Sequence, residues 1–211
     1  MDKAIQIDTF TRFTQVSRET ITSLIKYEEM LISANENLNL IGKSTINEIW
    51  YRHFLDSVQV IDFIDKNNKT LMDIGSGAGF PGLVLAIILK DRKIPLKIKL
   101  VEKSPKKTKF LKNLVNEFQL DVEVINKNIL EKTKKLSEDI FIARAFKPLQ
   151  IFLELIHKNA ENWNKIFIFL GKTGKNEILQ ASKIWDIGYK QRVSITSDDS
   201  FIIEINRLKK K

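Results

Sequence analysis

The pattern of apolar positions changes near residue 65, and the two parts of the chain predict different kinds of structure. Before this point, apolar side chains recur at helical intervals. Ser17 is a candidate N-cap for one such series, whose members are Ile21, Leu24, Ile25 and Leu31. Thr45 and Glu48 have capping-box spacing and predict another helix that runs through His53. Residues 1–65 are therefore predicted to form an N-terminal helical extension.

After residue 65, short apolar runs alternate with amphipathic stretches. The runs predict five strands, at residues 70–74, 97–101, 122–125, 140–143 and 166–170. Helices are predicted between them, at residues 82–89, from Ser104-Pro105 onward and at residues 149–157. Two last runs, at residues 192–195 and 201–205, predict an antiparallel hairpin, and residues 209–211 a frayed end. Residues 66–211 are thus predicted to form one α/β domain with a mostly parallel seven-stranded sheet.

The composition indicates an ordinary globular protein without disulfide bonds or membrane-spanning segments. The hydrophobic fraction of 43% and the charged fraction of 29% are those of an ordinary globular domain. The chain has no cysteine, which excludes disulfides and thiolate metal sites. Its N-terminus lacks the apolar run of a signal peptide, and no stretch is long enough to span a membrane, so we expect a cytoplasmic protein without membrane contact. Nothing in the pattern suggests an oligomer, and a monomer is expected.

The charge balance favours a polyanionic partner. The 35 Lys and Arg residues outnumber the 26 Asp and Glu residues, for a net charge of +9. Such an excess favours binding to nucleic acid, because each phosphate that is neutralised releases counterions. The chain is also rich in Lys, Ile and Asn throughout, as proteins from AT-rich genomes are, so charge alone is weak support for RNA.

A glycine-rich turn carries the most specific chemistry. Residues 71–82, LMDIGSGAGFPG, run from a predicted buried strand through glycines into a helix, where backbone amides can approach an anionic ligand group. Gly77, Gly79 and Gly82 satisfy the dinucleotide fingerprint. Asp73, two residues before Gly75, favours S-adenosylmethionine instead, because a carboxylate suits a ligand with an ammonium group better than a pyrophosphate.

Glu102 ends the second predicted strand, where an acid can accept hydrogen bonds from ribose hydroxyls. Dehydrogenases and methyltransferases both use such an acid. Glu102 therefore supports nucleoside binding without choosing between the two classes.

Four segments resemble one known family over most of the chain. They are residues 35–41, the RHFLDS sequence at residues 52–57, the glycine loop at residues 73–82, and the ARAF sequence at residues 143–146. Together they are similar to the bacterial small-subunit ribosomal RNA guanine-N7 methyltransferases, the family called RsmG or glucose-inhibited division protein B. The glycine loop is common to many methyltransferases, whereas the second and fourth segments are far more specific.

The resemblance implies a class I methyltransferase fold of the Rossmann-like type and methyl transfer from S-adenosylmethionine to a guanine N7 of 16S ribosomal RNA. It implies that the cofactor is lined by Gly75, Phe80, Ile129, Leu130 and Arg144. With the loop and strand residues above, the predicted cofactor set is Asp73, Gly75, Gly77, Gly79, Phe80, Glu102, Ile129, Leu130 and Arg144. Residues 128–130 read Asn-Ile-Leu where the family often has Arg-Ala-Glu, which leaves backbone contacts there as the expectation.

Five basic residues are candidates for RNA contact: Arg52, His53, Arg144, Lys147 and Lys172. The last three follow predicted parallel strands, and ligands of open α/β sheets bind at the carboxyl ends of the strands. Lys147 replaces an alanine that is frequent in the family. The lysines of residues 103–112 are further candidates for a basic rim, or else form a solvated helix face.

The predicted chemistry needs no catalytic base, because neutral guanine already has a lone pair at N7. Proximity and alignment are then the main requirements. In agreement, the sequence shows no Ser-His-Asp arrangement and no metal cluster, and we assign no catalytic residue. Two alternatives stay open. An NAD-dependent oxidoreductase predicts dinucleotide binding, and a non-catalytic RNA-binding ribosome-assembly factor predicts RNA affinity without turnover.

Overall fold

The computed structural model of the chain describes residues 1–131, 135–146 and 148–211. The α-helices are α1 (Lys3–Thr14), α2 (Arg18–Leu38), α3 (Asp56–Val58), α4 (Gly82–Asp91), α5 (Pro105–Glu117), α6 (Leu149–Asn159) and α7 (Gly174–Ala181). The strands are β1 (Thr70–Ile74), β2 (Lys97–Glu102), β3 (Val122–Asn126), β4 (Ile140–Arg144), β5 (Lys165–Leu170), β6 (Trp185–Val193) and β7 (Phe201–Lys210). Within the described ranges, no helix has the length and apolar character needed to cross a membrane.

The strands form one seven-stranded sheet in the order β3-β2-β1-β4-β5-β7-β6. The first five strands in this order are parallel, and β7 is antiparallel to both β5 and β6. This confirms the predicted fold class. In the sheet, β1 lies between β2 and β4: β2 and β3 follow on one side of it and β4 and β5 on the other, so the direction of winding reverses there. In open α/β sheets, the crevice at the carboxyl end of such a strand is the usual ligand site.

Alternate side chains of each central strand enter two separate cores. In β1, Leu71 belongs to a cluster with the N-terminal helices, α4 and α5, whereas Met72 and Ile74 belong to a cluster with α6 and α7. The two-residue repeat of a strand explains this division. Both faces of the parallel sheet are therefore covered by helices.

The N-terminal segment shares the first of these cores with the sheet. Phe10, Tyr27, Trp50 and Phe54 are each at most 1% exposed and lie in the same cluster as Leu71. The division at residue 65 stays a prediction, since side chains from both sides of it are buried together.

The region from residue 43 to residue 58 differs from the single helix that was predicted. A 3-10 turn, Lys43–Glu48, is followed by a π-helical segment, Trp50–Leu55, and then by α3. Thr45 does not cap a helix, because its hydroxyl donates to Gly42 O and contacts His53 Nε2. The predicted cap at Ser17 is confirmed, since its hydroxyl accepts from Thr20 N–H.

The C-terminal hairpin is longer than predicted. Its strands run from Trp185 to Val193 and from Phe201 to Lys210, so the supposedly frayed end is paired almost to the last residue. The register shifts between Gly188 and Tyr189. Strand β6 is an edge strand with many exposed polar side chains, and it therefore lacks the apolar run on which the prediction relied.

The shared core predicts that the N-terminal helices and the sheet unfold together. Leu31→Ala removes a fully buried side chain and is expected to lower the free energy of unfolding by about 2–5 kcal/mol, because it leaves a cavity. Ile32→Ala is the matched control, since Ile32 is 38% exposed, and we expect a change of roughly 0.5 kcal/mol or less. Urea unfolding followed by circular dichroism and tryptophan fluorescence measures both. Separate transitions for the two probes, or equal effects of the two variants, would contradict a shared core.

Candidate cofactor and RNA site

The glycine loop between β1 and α4 has a backbone that only glycine adopts readily. Gly75, Gly77 and Gly79 have φ values of +79°, +57° and +102°. At Gly75 a Cβ atom would also lie 2.6 Å from Phe146 Cδ2. At Gly79 it would collide with the hydroxyl oxygen of Tyr27, and that hydroxyl donates to Ala78 O at 2.6 Å. The glycines that the sequence pattern singled out therefore stand where the backbone conformation disfavours other residues.

Asp73 supports this loop from below. Its side chain is completely buried and does not line the cavity above the loop; instead Oδ2 accepts from Gly82 N–H at 2.9 Å. The structure thus shows Asp73 supporting the loop, and its contact with the cofactor stays a prediction. Burial raises the pKa of Asp73 to about 7, although the Gly82 hydrogen bond opposes the rise. Gly79 likewise lies outside the cavity lining and makes room for Tyr27.

Glu102 joins the end of β2 to the loop. Its Oε2 accepts from Gly77 N–H at 3.0 Å, and its Oε1 accepts from Ser104 N–H at 2.8 Å. Although only 7% exposed, it lines the cavity. The carboxylate therefore has a fixed position at the cavity wall.

A cavity of about 540 Å³ opens above the glycine loop, within the range of small-molecule sites. Most of the predicted cofactor residues line it, namely Gly75, Gly77, Phe80, Glu102, Ile129, Leu130 and Arg144. The carboxyl ends of β1, β2 and β4 and the chain after β3 thus contribute to one site, as the topology predicts.

Arg144 ends β4 and is held by the N-terminal segment. Its Nε lies 3.1 Å from Asp56 Oδ2, and its Nη2 donates to Arg52 O at 2.8 Å. Burial lowers the pKa of Arg144, whereas the charge of Asp56 raises it. Nη1 is buried and has no hydrogen-bond partner among the described residues. A buried donor without a partner costs about 1–3 kcal/mol.

His53 links Arg144 to another part of the cavity wall. Its ring stacks on Phe80 with centroids 4.9 Å apart, and its Nδ1 lies 3.2 Å from Arg144 Nη2. Because a guanidinium only donates, Nδ1 must accept, so the hydrogen is on Nε2 and is donated to Thr45 Oγ1. Burial first, and then the charges of Arg144 and Arg52, lowers the pKa of His53 to about 3. The ring is therefore neutral at physiological pH.

The other RNA candidates are dispersed. Arg52 lines a second, smaller cavity, which it shares with Arg144. Lys172 is exposed and pairs with Asp199 at 3.2 Å, away from the lining of the first cavity. Lys147 lies outside the described residues.

Several lining residues were not assigned to the site from the sequence. Leu40, Ile41 and Gly42 form one wall, although the first two belong to a segment that carried the family resemblance. Ala145 and Phe146 line the cavity beside Arg144, within the ARAF segment. Only the two family-like segments, residues 35–41 and 143–146, could have indicated these residues, because they show neither a distinctive periodicity nor a charge.

Some of the lysines that were candidates for a basic rim, in the region after β2, do line the cofactor cavity. Lys103 and Lys107 line the cavity, and so does Lys127 after β3. The opening therefore combines a nucleoside-sized space with positive charge.

The fold and this cavity define a class I methyltransferase-like protein. Among solved structures, the chain is similar to Mycoplasma capricolum TrmK in complex with S-adenosylhomocysteine, at a TM-score of 0.54 and 23% identity over 71% of this chain and 66% of that one. It is also similar to an S-adenosylmethionine-dependent methyltransferase from Aquifex aeolicus, at a TM-score of 0.57 and 16% identity over 82% and 97% of the two chains. At these identities the likeness establishes the fold.

Sequence comparison identifies the family. The family model for rRNA small subunit methyltransferase G (GidB) matches residues 20–201. The chain is 40% identical over 198 residues to ribosomal RNA small subunit methyltransferase G of Pelagibacter ubique, covering 93% of this chain and 92% of that one. The counterpart from Rickettsia akari is 34% identical over 198 residues, covering 93% and 98%. The chain belongs to the rRNA small subunit methyltransferase G family, as its motifs predicted, and neither of the two alternatives is supported.

The raised pKa of Asp73 predicts a pH-dependent stability. Between about pH 4 and pH 7 the carboxyl is protonated in the folded protein and ionised in the unfolded chain, so its contribution to stability declines as pH rises through about 7. Relative to Asp73→Asn, the free energy of unfolding of the wild-type protein should fall by about 1.4 kcal/mol per pH unit at most in this interval. Urea titrations at several pH values measure the difference. A difference that is constant, or that grows with pH, would show that Asp73 is ionised throughout.

Proposed function

We propose that the chain transfers the methyl group of S-adenosylmethionine to N7 of a guanosine in 16S ribosomal RNA. The proposal rests on the cavity of this chain, which belongs to the family and in which the glycine loop and Glu102 form one wall. The RNA is either free or part of the small ribosomal subunit. This substrate also favours a cytoplasmic location, and we propose that the protein acts as a monomer.

The residues present suit S-adenosylmethionine. The glycine backbone at Gly75 and Gly77 leaves room for the amino-acid end of the cofactor, and the Glu102 carboxylate can accept from ribose hydroxyls. Ile129 and Leu130 offer apolar contact for the adenine ring, and Leu130 is 42% exposed at the cavity. Oδ1 of Asp73, which has no hydrogen-bond partner in the described part of the chain, adds negative potential beneath the loop once this carboxyl is ionised.

The contribution of the chain to the reaction is positioning. When bound, S-adenosylmethionine would supply a methyl group on a sulfonium centre; the lone pair of N7 in neutral guanine would form the new bond to this carbon without prior loss of a proton, as the bond to sulfur breaks and the thioether leaves. A site that only aligns two groups can lower the barrier by several kcal/mol. The neutral His53 ring and the ion-paired Arg144 fit this role, because the one lone pair of His53, on Nδ1, already accepts from Arg144, and a guanidinium accepts no proton.

RNA binding is attributed to the basic rim. Lys103, Lys107 and Lys127 surround the opening of the cavity, where the backbone of an inserted nucleotide would pass. The net charge of +9 provides long-range attraction for phosphates.

Methyl transfer is tested with radiolabelled S-adenosylmethionine and small subunits or 16S RNA that lack base modifications. We expect label at a single guanine N7. Gly75→Ala should weaken cofactor binding by about tenfold, since the added Cβ strains a positive φ and collides with Phe146. Gly171→Ala is the control for cofactor binding and stability, because no atom lies within 4 Å of the added Cβ. Calorimetry measures the affinities.

Two outcomes would contradict the proposal. Label on another atom or on a different RNA would refute the substrate. Measurable cofactor affinity without any labelled RNA would refute methyl transfer to ribosomal RNA.

The basic rim is tested through the salt dependence of RNA binding. Replacing Lys103 and Lys107 with Gln should reduce the slope of log affinity against log salt by about 0.7 for each phosphate contact that is lost. Lys69→Gln is the matched control, because Lys69 is exposed at the opposite, amino-terminal edge of the sheet. Lys172→Gln, measured in the same way, tests the RNA contact that the sequence predicted for Lys172. An unchanged slope for the double variant would remove the rim from the RNA interface.

A further inference from the structure

A second cavity adjoins the cofactor cavity. It has a volume of about 180 Å³ and lies at the carboxyl ends of β4 and β5, beneath the loop that joins β6 to β7. Arg144 and Ala145 line both cavities. A ligand in the second cavity would therefore border two residues that also border the cofactor cavity.

The lining of the second cavity is apolar on one side and polar on the other. Phe169, Phe201 and Ile202 form the apolar part, whereas Ser197, Ser200 and Arg52 are polar. A planar heteroaromatic ring suits such a cavity, because its faces are apolar and its edges form hydrogen bonds. A phosphate group would gain no favourable contact with the aromatic side chains.

Arg144 can only donate, as can Arg52, and of these two lining residues Arg144 alone also lines the cofactor cavity. Serine and threonine hydroxyls both donate and accept, whereas a guanidinium never accepts. Its Nε and Nη2 are engaged by Asp56, Arg52 and His53, and Nη1 has no partner among the described residues. An acceptor on a bound ring would satisfy the remaining donor capacity.

Asp56 maintains this arrangement. While Oδ2 pairs with Arg144, Oδ1 accepts from the hydroxyls of Ser194 and Thr196 at 3.2 and 2.9 Å. Asp56 thereby neutralises the guanidinium and ties the loop between β6 and β7 to the N-terminal segment. The shape of the cavity is determined before any ligand binds.

We propose that the second cavity receives the acceptor base and that the Arg144 guanidinium selects guanine by donating to its O6. The inference rests on the proposed function and specifies how its substrate is chosen. In guanine, O6 and N7 are adjacent acceptors on one edge, whereas adenine presents an amino donor at the position of O6. A group that only donates therefore accepts guanine and rejects adenine. Because Arg144 lies between the two cavities, holding O6 there directs N7 towards the cofactor.

The test compares base analogues at the guanosine that the wild-type protein labels. An RNA with 2-aminopurine at this position retains N7 but lacks O6, and an RNA with inosine retains both and serves as the control. For the wild-type protein we expect kcat/KM to fall at least about tenfold with 2-aminopurine and to change little with inosine. In Arg144→Met, which has no donor at this position, the ratio of guanosine to 2-aminopurine should approach one. The ratio cancels any effect of Arg144 on cofactor affinity.

A second variant tests the cavity without altering Arg144. Gly171 lines the second cavity and has open space around its Cβ position, so Gly171→Leu is expected to fill the cavity. The KM for RNA and the dissociation constant of RNA measured with S-adenosylhomocysteine present should both rise at least about tenfold. The dissociation constant of the cofactor should stay within a factor of two.

The outcomes separate this inference from the function on which it rests. If the wild-type protein labels no guanine N7, the proposed function fails. If it does, but Arg144→Met slows guanosine and 2-aminopurine RNAs equally, Arg144 does not select the base. Should Arg144→Met fail to fold, Gly171→Leu decides, and unchanged RNA binding would overturn the assignment of the cavity.

Discussion

The conformation of the glycine loop is the constraint on which the site depends. Three glycines with positive φ turn the chain at the end of β1, and the Asp73 carboxylate holds Gly82 N–H at the start of α4. This geometry keeps side chains away from the space that becomes the cavity. A larger residue at Gly75 would meet Phe146, which itself lines the cavity. The glycine loop and the chain after β4 thus pack closely at Gly75 and Phe146, and both line the cavity.

The N-terminal segment completes the site. Asp56 and His53 come from the region around α3, yet both contact Arg144 at the end of β4. The ion pair is largely buried, and removing one partner from such a pair is strongly destabilising because the other charge is left uncompensated. Its presence means that folding of the N-terminal segment and orientation of the guanidinium are coupled. We therefore regard the segment as part of the cofactor and RNA site.

The sequence predicted the sheet well because buried parallel strands leave an apolar signature. It also predicted the loop and Glu102, whose residue types follow from steric and hydrogen-bonding needs. It did not show that Asp73 is buried beneath the loop, since spacing shows where a carboxylate lies along the chain but not which way it faces. It could not show that Asp56 pairs with Arg144, because 88 residues separate them and only the folded chain brings them together. The first strand of the hairpin was predicted at residues 192–195 and not at Trp185–Val193, because most of β6 lacks an apolar run.

The central claim is that this chain places a methyl group on guanine N7 of 16S ribosomal RNA. Its most direct test is made in cells from which the gene has been deleted. Borohydride reduction followed by aniline treatment cleaves RNA at 7-methylguanosine, and primer extension then locates the break. The account predicts one 16S cleavage site that disappears on deletion and returns when the wild-type gene is restored. A cleavage pattern that is the same with and without the gene would contradict it.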